Sequence, residues 1–126
     1  MRSQASIEFM YMVMVATAMI VVFSYIFSTL YQDNLKEKQR LLFSDFGSSI
    51  RQELTIAAAA KQGYAREFDI PAKLEGYSYD IKIIGSTLIL NNSYVSYNFY
   101  VPKVDGAIKK GNNIITNLNG TLCLNC

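Results

Sequence analysis

The sequence contains no histidine and no tryptophan, only two cysteines and two prolines, and few charges. Without histidine, the commonest general base, the commonest metal ligand and every Ser-His or Cys-His nucleophile pair are gone. The two cysteines, Cys123 and Cys126, lie too close together to build the disulfide framework of a small secreted scaffold. Charged residues make up 17% of the 126, and 12 basic side chains against 10 acidic ones leave a net charge of +2. That balance offers no electrostatic footprint for nucleic acid. A hydrophobic content of 51% excludes a disordered chain. No metal, cofactor or catalytic residue is expected. Asp80 and Lys82 share a strand face, but nothing brings a nucleophile to them, so the chain reads as a non-enzyme.

Charge is also missing in one particular place. Residues 9–32 read FMYMVMVATAMIVVFSYIFSTLYQ, without a single ionisable acid or base of the Asp, Glu, Lys or Arg kind. A membrane-spanning helix needs about 20 such residues. A cleaved secretory signal has a shorter apolar region of roughly 7–15 residues and a small-residue cleavage site. The run is therefore read as a retained membrane helix. Arg2 and the start amine favour a cytoplasmic N-terminus, whereas Lys36, Lys38 and Arg40 argue the other way.

The helical pattern continues beyond the run. Leu35, Leu42, Phe46, Ile50, Leu54 and Ala57 recur on one helix face, with Lys36, Glu37, Lys38, Arg40, Asp45, Arg51 and Glu53 on others. Residues 57–60 are four alanines, strong helix formers, and Gly63 is a C-terminal stop with Lys61 in the last turn. The spacing predicts a helix over about 5–62, with Gly47-Ser48-Ser49 a soft point for a kink. A helix of that length would reach roughly 85–90 Å at ~1.5 Å per residue, too long for the rest of the chain to cover. Its first half needs lipid or other copies of itself.

From Phe68 the apolar period changes to two. Tyr77, Tyr79, Ile81 and Ile83 alternate with Ser78, Asp80 and Lys82, as in a half-buried strand. Gly85-Ser86 predicts a type II′ turn into residues 87–90. Asn91-Asn92 predicts the next turn, into residues 94–101, which Pro102 ends. Ile114-Ile115 and residues 122–124 are two more short strands around an Asn119-Gly120 turn. The expected fold class is α+β: a long N-terminal helix and a small antiparallel sheet of five strands, packed on the helix's second half. The expected divisions are a leader at 1–3, an apolar helix at 4–34, its amphipathic continuation at 35–63 and a head at 64–126.

Glu8 is the odd residue, a lone carboxylate at the edge of the apolar run. The plain alternative is a first-turn acid stabilised by the helix dipole. Its surroundings suggest more. Gln4-x-Ser6-x-Glu8 followed by a long apolar helix resembles the processing signal of archaeal type IV pilins. The later segments Phe68-x-Ile70-Pro71, Leu74-x-Gly76-x-x-Tyr79-x-Ile81-x-Ile83, Val101-Pro102-x-Val104-x-Gly106, Lys110-Gly111 and Gly120 resemble the sheet domain of the same family. The resemblance covers nearly the whole chain. It departs from the family in a three-residue leader with one Arg, and in Met12 where Leu is frequent.

The resemblance implies a cut between Ser3 and Gln4 by a membrane prepilin peptidase, on the cytoplasmic side. The apolar helix is then retained as a filament core. An assembly ATPase and a membrane platform protein are the further partners it implies. The subunit would pass from a single-pass membrane precursor into a cell-surface homopolymer serving adhesion. Glu8 would then enter an apolar bundle, where a buried carboxylate needs a cation. The new α-amine on Gln4 supplies one and would fix the register of stacking. Ala16, Ala18, Ser24 and Ser28 allow close helix approach. Two other readings stand beside this one: a minor pilin or pseudopilin priming or tipping a filament, and a single-pass anchor for an extracellular binding domain.

Three further features are read with their alternatives. Cys123 and Cys126 would lie about 10 Å apart in a straight strand, too far to bond, but a turn brings them together. A disulfide clasp, two free thiols and bridges between subunits all remain open. Asn91-Asn92-Ser93 and Asn119-Gly120-Thr121 are glycosylation sequons at expected turns, though Asn favours turns without any glycan. Phe23, Tyr25, Phe27 and Tyr31 on the stem are read as packing and interfacial anchors rather than an electron path.

Overall fold

The computed structural model describes residues 2–126, and side chains from Gln4 onward. The expected leader side chains Met1, Arg2 and Ser3 lie outside the described residues. The fold is α+β, one long helix followed by a small antiparallel-rich β domain. Helix α1 runs Arg2–Ala59. The chain divides into two compact units, the first ending at Gln39 and the second spanning Arg40–Cys126.

Among the described residues of the first unit, α1 is the only element. Thr17 donates its hydroxyl to the Val13 carbonyl at 2.8 Å, and Thr29 to the Ile26 carbonyl at 2.8 Å. These backbone-directed bonds satisfy polar groups inside the helix itself, so two hydroxyls in the apolar run need no outside partner.

The second unit holds the β strands: β1 (Ala65–Ile70), β2 (Lys73–Leu74), β3 (Tyr77–Ser78), β4 (Asp80–Ile84), β5 (Thr87–Asn91), β6 (Ser96–Tyr100), β7 (Val104–Gly106), β8 (Gly111–Leu118) and β9 (Thr121–Leu124). One sheet has the order β1-β8-β9-β7, a second is the β2-β3 ribbon, and a third is the meander β4-β5-β6. The expected meander is present, though the turn expected at Asn91-Asn92 falls after Asn91, which ends β5 opposite Ser96. Ile84 pairs with Thr87 across Gly85-Ser86, with Gly85 at φ 62°. Leu118 pairs with Thr121 across Asn119-Gly120, both at positive φ.

The single five-stranded sheet is corrected in three ways. First, the strand expected over 77–83 breaks at Tyr79. Its first part folds back on β2, and its second starts β4. Tyr79 at the break is buried and donates its hydroxyl to the Pro71 carbonyl. Second, β1 pairs along its whole length with β8. Arg66, Glu67 and Asp69 hide the alternation of Phe68 and Ile70 there. Third, β7 runs parallel to β9, Val104 opposite Leu122. In addition, β6 begins at Ser96 rather than Tyr94, because Asn92 and Val95 close the turn with a 2.9 Å backbone bond.

The core joins the last turns of α1 to the sheets. Phe43, Ile50, Leu54 and Ala57 are buried with Ile81, Leu88, Leu90, Ile115, Leu122 and Leu124. Phe43 stacks on Tyr97 at 5.9 Å and meets Tyr79 edge-on at 6.0 Å. The helical face is thus close to the expected one, with Phe43 added and Leu35 left exposed.

Gly47 has a packing role. Helix runs through it, and a Cβ there would fall 2.1 Å from Phe99 Cε2. The residue is small so that the aromatic ring can lie against the helix backbone.

The helix ends at Ala59, three residues earlier than expected, which leaves Lys61 beyond it. Asn117 on β8 caps this end. Its Nδ2 donates to the Ala57 carbonyl at 3.0 Å and the Ala60 carbonyl at 3.1 Å. The final carbonyls of a helix have no intrahelical partner, and this side chain satisfies two of them. The Asn117 carbonyl then accepts from the Gly63 N–H at 3.0 Å.

Candidate assembly and processing site

The site suggested by the sequence lies at the start of α1. Gln4, Ser6 and Glu8 all fall within the helix and are exposed. Gln4 and Glu8 are four residues apart, so they share one face about a turn apart. The helix begins at Arg2, which puts Glu8 in the second turn. The dipole effect fades beyond the first turn, so the first-turn explanation of this carboxylate loses force. The bond between Ser3 and Gln4 belongs to the opening turn, whose N–H groups lack intrahelical acceptors and which frays most readily. Glu8 itself, with Gln4, is flanked by exposed Ile7 and Phe9.

Around and beyond Glu8 the apolar side chains are uncovered. Ile7, Phe9, Met12, Tyr25 and Phe27 are each about 70% exposed. The apolar stretch of the helix is long enough and apolar enough to cross a membrane, by length and composition, and none of it is buried within the chain. Contiguous apolar surface of this extent on a protein marks contact with lipid or another protein. In the second unit Phe43, Leu54, Leu88, Leu90 and Leu124 are packed away, while Ile84 and Tyr100 stay exposed.

The other predicted residues fall in the second unit. Cys123 and Cys126 are joined as a disulfide, with their Cα atoms 5.8 Å apart. The turn that joins them is held by Asn125, at φ 58°. Its Oδ1 accepts from the Ile114 N–H at 3.0 Å, and its Nδ2 donates to the Ala107 carbonyl at 2.9 Å and to Asn113 Oδ1 at 2.8 Å. Asn113 is fully buried, and its own Nδ2 donates to the Lys109 and Gly111 carbonyls at 2.7 and 2.8 Å. Asn91 is exposed at the end of β5. Asn119 is exposed in its turn, and its Oδ1 accepts from Gln62 Nε2.

Sequence reasoning missed Asn113, Asn117 and Asn125. The pattern Asn113-x-Ile115-x-Asn117 does alternate, but Asn at an inward strand position carries no hydrophobic signal. It missed Tyr79's electrostatics too. Burial, and next the nearby Asp69 carboxylate, push the Tyr79 phenol up to about 12. Lys110 Nζ lies 4.9 Å from the same ring's centroid.

Among the described residues, no group of three or more Cys, Asp or Glu side chains is placed to hold a metal. Comparison with known protein families, with curated proteins and with solved structures finds no match for the chain.

Proposed function

We propose that this chain is a structural subunit of an archaeal type IV-like pilus, polymerising through its N-terminal helix into an adhesive cell-surface filament. The observation that carries the reading is the conjunction of Gln4-x-Ser6-x-Glu8 with an apolar N-terminal stretch of helix whose side chains are left exposed among the described residues. A folded β domain supports its own core and leaves the stem surface for other molecules. In this reading lipid covers the stem first and neighbouring subunits cover it afterwards. The peptidase, the assembly ATPase and the platform protein act on the precursor. No cofactor is required.

Glu8 has a defined task in this account. In a bundle of apolar helices its carboxylate is stabilised only by a cation, and the Gln4 α-amine freed by cleavage is the nearest one in sequence. The pairing makes one axial register better than its neighbours. After cleavage the stem carries no other charge before Asp33. Close approach at Ala16, Ala18, Ser24 and Ser28 supplies the packing.

The test is Glu8→Gln in the native host, followed by electron microscopy of surface filaments and by gel analysis of processing. The reading expects a processed subunit that remains in the membrane and few or no filaments. Filaments of normal length and yield from the variant would remove Glu8 from assembly.

A further inference from the structure

The strand edges of the second unit are not alike. β4 bears Asp80 and Lys82, and β1 bears Arg66, Glu67 and Asp69. β7 and the two strands of the β2-β3 ribbon are only 2 or 3 residues long. Charge and shortness are the usual means by which a sheet edge is kept from pairing with another chain. β6, last in the order β4-β5-β6, has neither. It reads Ser96-Tyr97-Asn98-Phe99-Tyr100, and no charged side chain occurs from residue 83 to residue 102.

The hydrogen bonds that flank β6 show which of its backbone groups are spare. The Asn92 N–H donates to the Val95 carbonyl at 2.9 Å, and the Val101 N–H to the Ser86 carbonyl at 3.0 Å. In an antiparallel ladder, residues bonded to one neighbour alternate with residues whose N–H and C=O face away from it. Tyr97 and Phe99 therefore bond to β5, and Ser96, Asn98 and Tyr100 turn their backbone groups outward. The side chains of these three are exposed as well. On the inner face, Leu88 and Leu90 of the middle strand β5 are fully buried, whereas Tyr97 and Phe99 are only half-buried. That face is sealed at β5 and partly open along β6.

We propose that β6 pairs antiparallel with β6 of a second copy of this chain, in the register that sets Asn98 opposite Asn98. This register sets Ser96 opposite Tyr100 of the second copy and uses every outward N–H and C=O of the strand. Tyr100, 74% exposed, then lies across from a small side chain that leaves room for its ring. On the inner face Tyr97 meets Phe99 of the second copy, an aromatic cross-strand pair. The result is a continuous sheet β4-β5-β6-β6-β5-β4, which ends at both edges on Asp80 and Lys82. A second copy thus replaces the uncharged edge with charged ones. The contact is isologous and closes after two copies. Phe43 stacks on Tyr97 and Gly47 lies against Phe99, so this part of α1 advances in the direction of β6. Antiparallel pairing therefore joins copies whose helix segments here run in opposite directions. It is distinct from a contact that stacks stems in one direction, and it goes beyond the filament reading without resting on it.

The experiment uses the full chain in detergent micelles and reads amide hydrogen exchange against protein concentration. The expected result is protection that grows with concentration at Ser96, Asn98 and Tyr100, while Tyr97 and Phe99 stay as they are. Register is read by cross-linking under mild oxidation. Directly opposed residues of a bonded pair have Cα atoms about 5.5 Å apart, within the disulfide range of roughly 4.4–6.8 Å. Asn98→Cys should therefore give a covalent dimer. Ser96→Cys should not, because its counterpart sits four residues along the paired strand, about 13 Å away. Asn98→Lys sets two ammonium groups against each other and should abolish the concentration-dependent protection. Asn98 is exposed, so this variant should keep the melting temperature of the parent. Glu8→Gln should leave the cross-link unchanged, which separates this contact from stem assembly. Exchange at Ser96, Asn98 and Tyr100 that ignores concentration would overturn the proposal. So would cross-linking of Ser96→Cys as readily as Asn98→Cys, or protection that survives Asn98→Lys.

Discussion

The two units of this chain are both rich in apolar side chains and treat them in opposite ways. In Arg40–Cys126, Phe43, Leu54, Leu88, Leu90, Ile115 and Leu124 are almost wholly removed from solvent. In the unit that ends at Gln39, Phe9, Met12, Tyr25 and Phe27 are left uncovered. The difference is not composition but partners. A helix presents its side chains all round, and one helix alone cannot shield them. Three sheets with alternating faces can cover one stripe of a helix. The stem's apolar surface is thus left uncovered among the described residues, and in the proposed reading lipid or copies of the chain cover it, whereas the second unit packs a core of its own.

That contrast can be broken by changes in the second unit that spread to the stem, and sharpened by changes that do not. The largest effect is expected at Gly106. A Cβ there would lie 2.1 Å from the Leu124 carbonyl oxygen, and φ is +104°. Gly106→Ala separates β7 from β9 and should abolish the cooperative thermal transition of the second unit. Far-ultraviolet circular dichroism in micelles should still show a helical stem. Loss of stem helicity as well would mean the two regions fold as one.

Asn117→Ala comes next. It strips a donor from the Ala57 and Ala60 carbonyls and an acceptor from the Gly120 N–H. Orphaning buried polar groups costs about 1–3 kcal/mol each, so the melting temperature should fall by several degrees. Hydrogen exchange should rise most at Gly120, whose N–H loses the Asn117 Oδ1 acceptor.

The smallest effect is pH-dependent. The Tyr79 phenol is held up at about 12, against an ordinary value of 10. A raised folded-state value favours the protonated form in the fold. The contribution to stability is complete below pH 10 and is lost as pH rises from 10 through about 12. Tyr79→Phe should be less stable at neutral pH by about 1 kcal/mol for the lost bond to the Pro71 carbonyl. The gap between the two proteins, followed by thermal melts, should then close above pH 10. A constant gap across that range would show that the phenol does not titrate differently in the fold.

What was legible from sequence follows the same divide. The apolar run announces itself by length, and the stripe Phe46-x-x-x-Ile50-x-x-x-Leu54 by its period. The Gly85-Ser86 and Asn119-Gly120 turns are short-range chemistry, fixed by which residue tolerates positive φ. The sheet order was not legible, because β1 pairs with β8 and β7 with β9 across long stretches of chain. Nor was the cap at the end of α1, since the group that supplies it sits 57 residues beyond Ala60, on another element. The role of Gly47 was hidden for a related reason. A glycine in a helix reads as weakness until the ring that needs the space, Phe99, is in place. At the candidate site, Gln4, Ser6 and Glu8 were legible as a motif, and their exposure on one helix followed. Their meaning depends on molecules outside the chain.

The central claim is that the stem is completed by other copies after cleavage before Gln4. Intact mass and N-terminal sequencing of filaments sheared from native cells test it most directly. The account predicts a filament subunit that begins at Gln4. A chain that still begins at Met1 and stays monomeric in the membrane fraction would contradict it and leave a membrane-anchored binding domain as the better description.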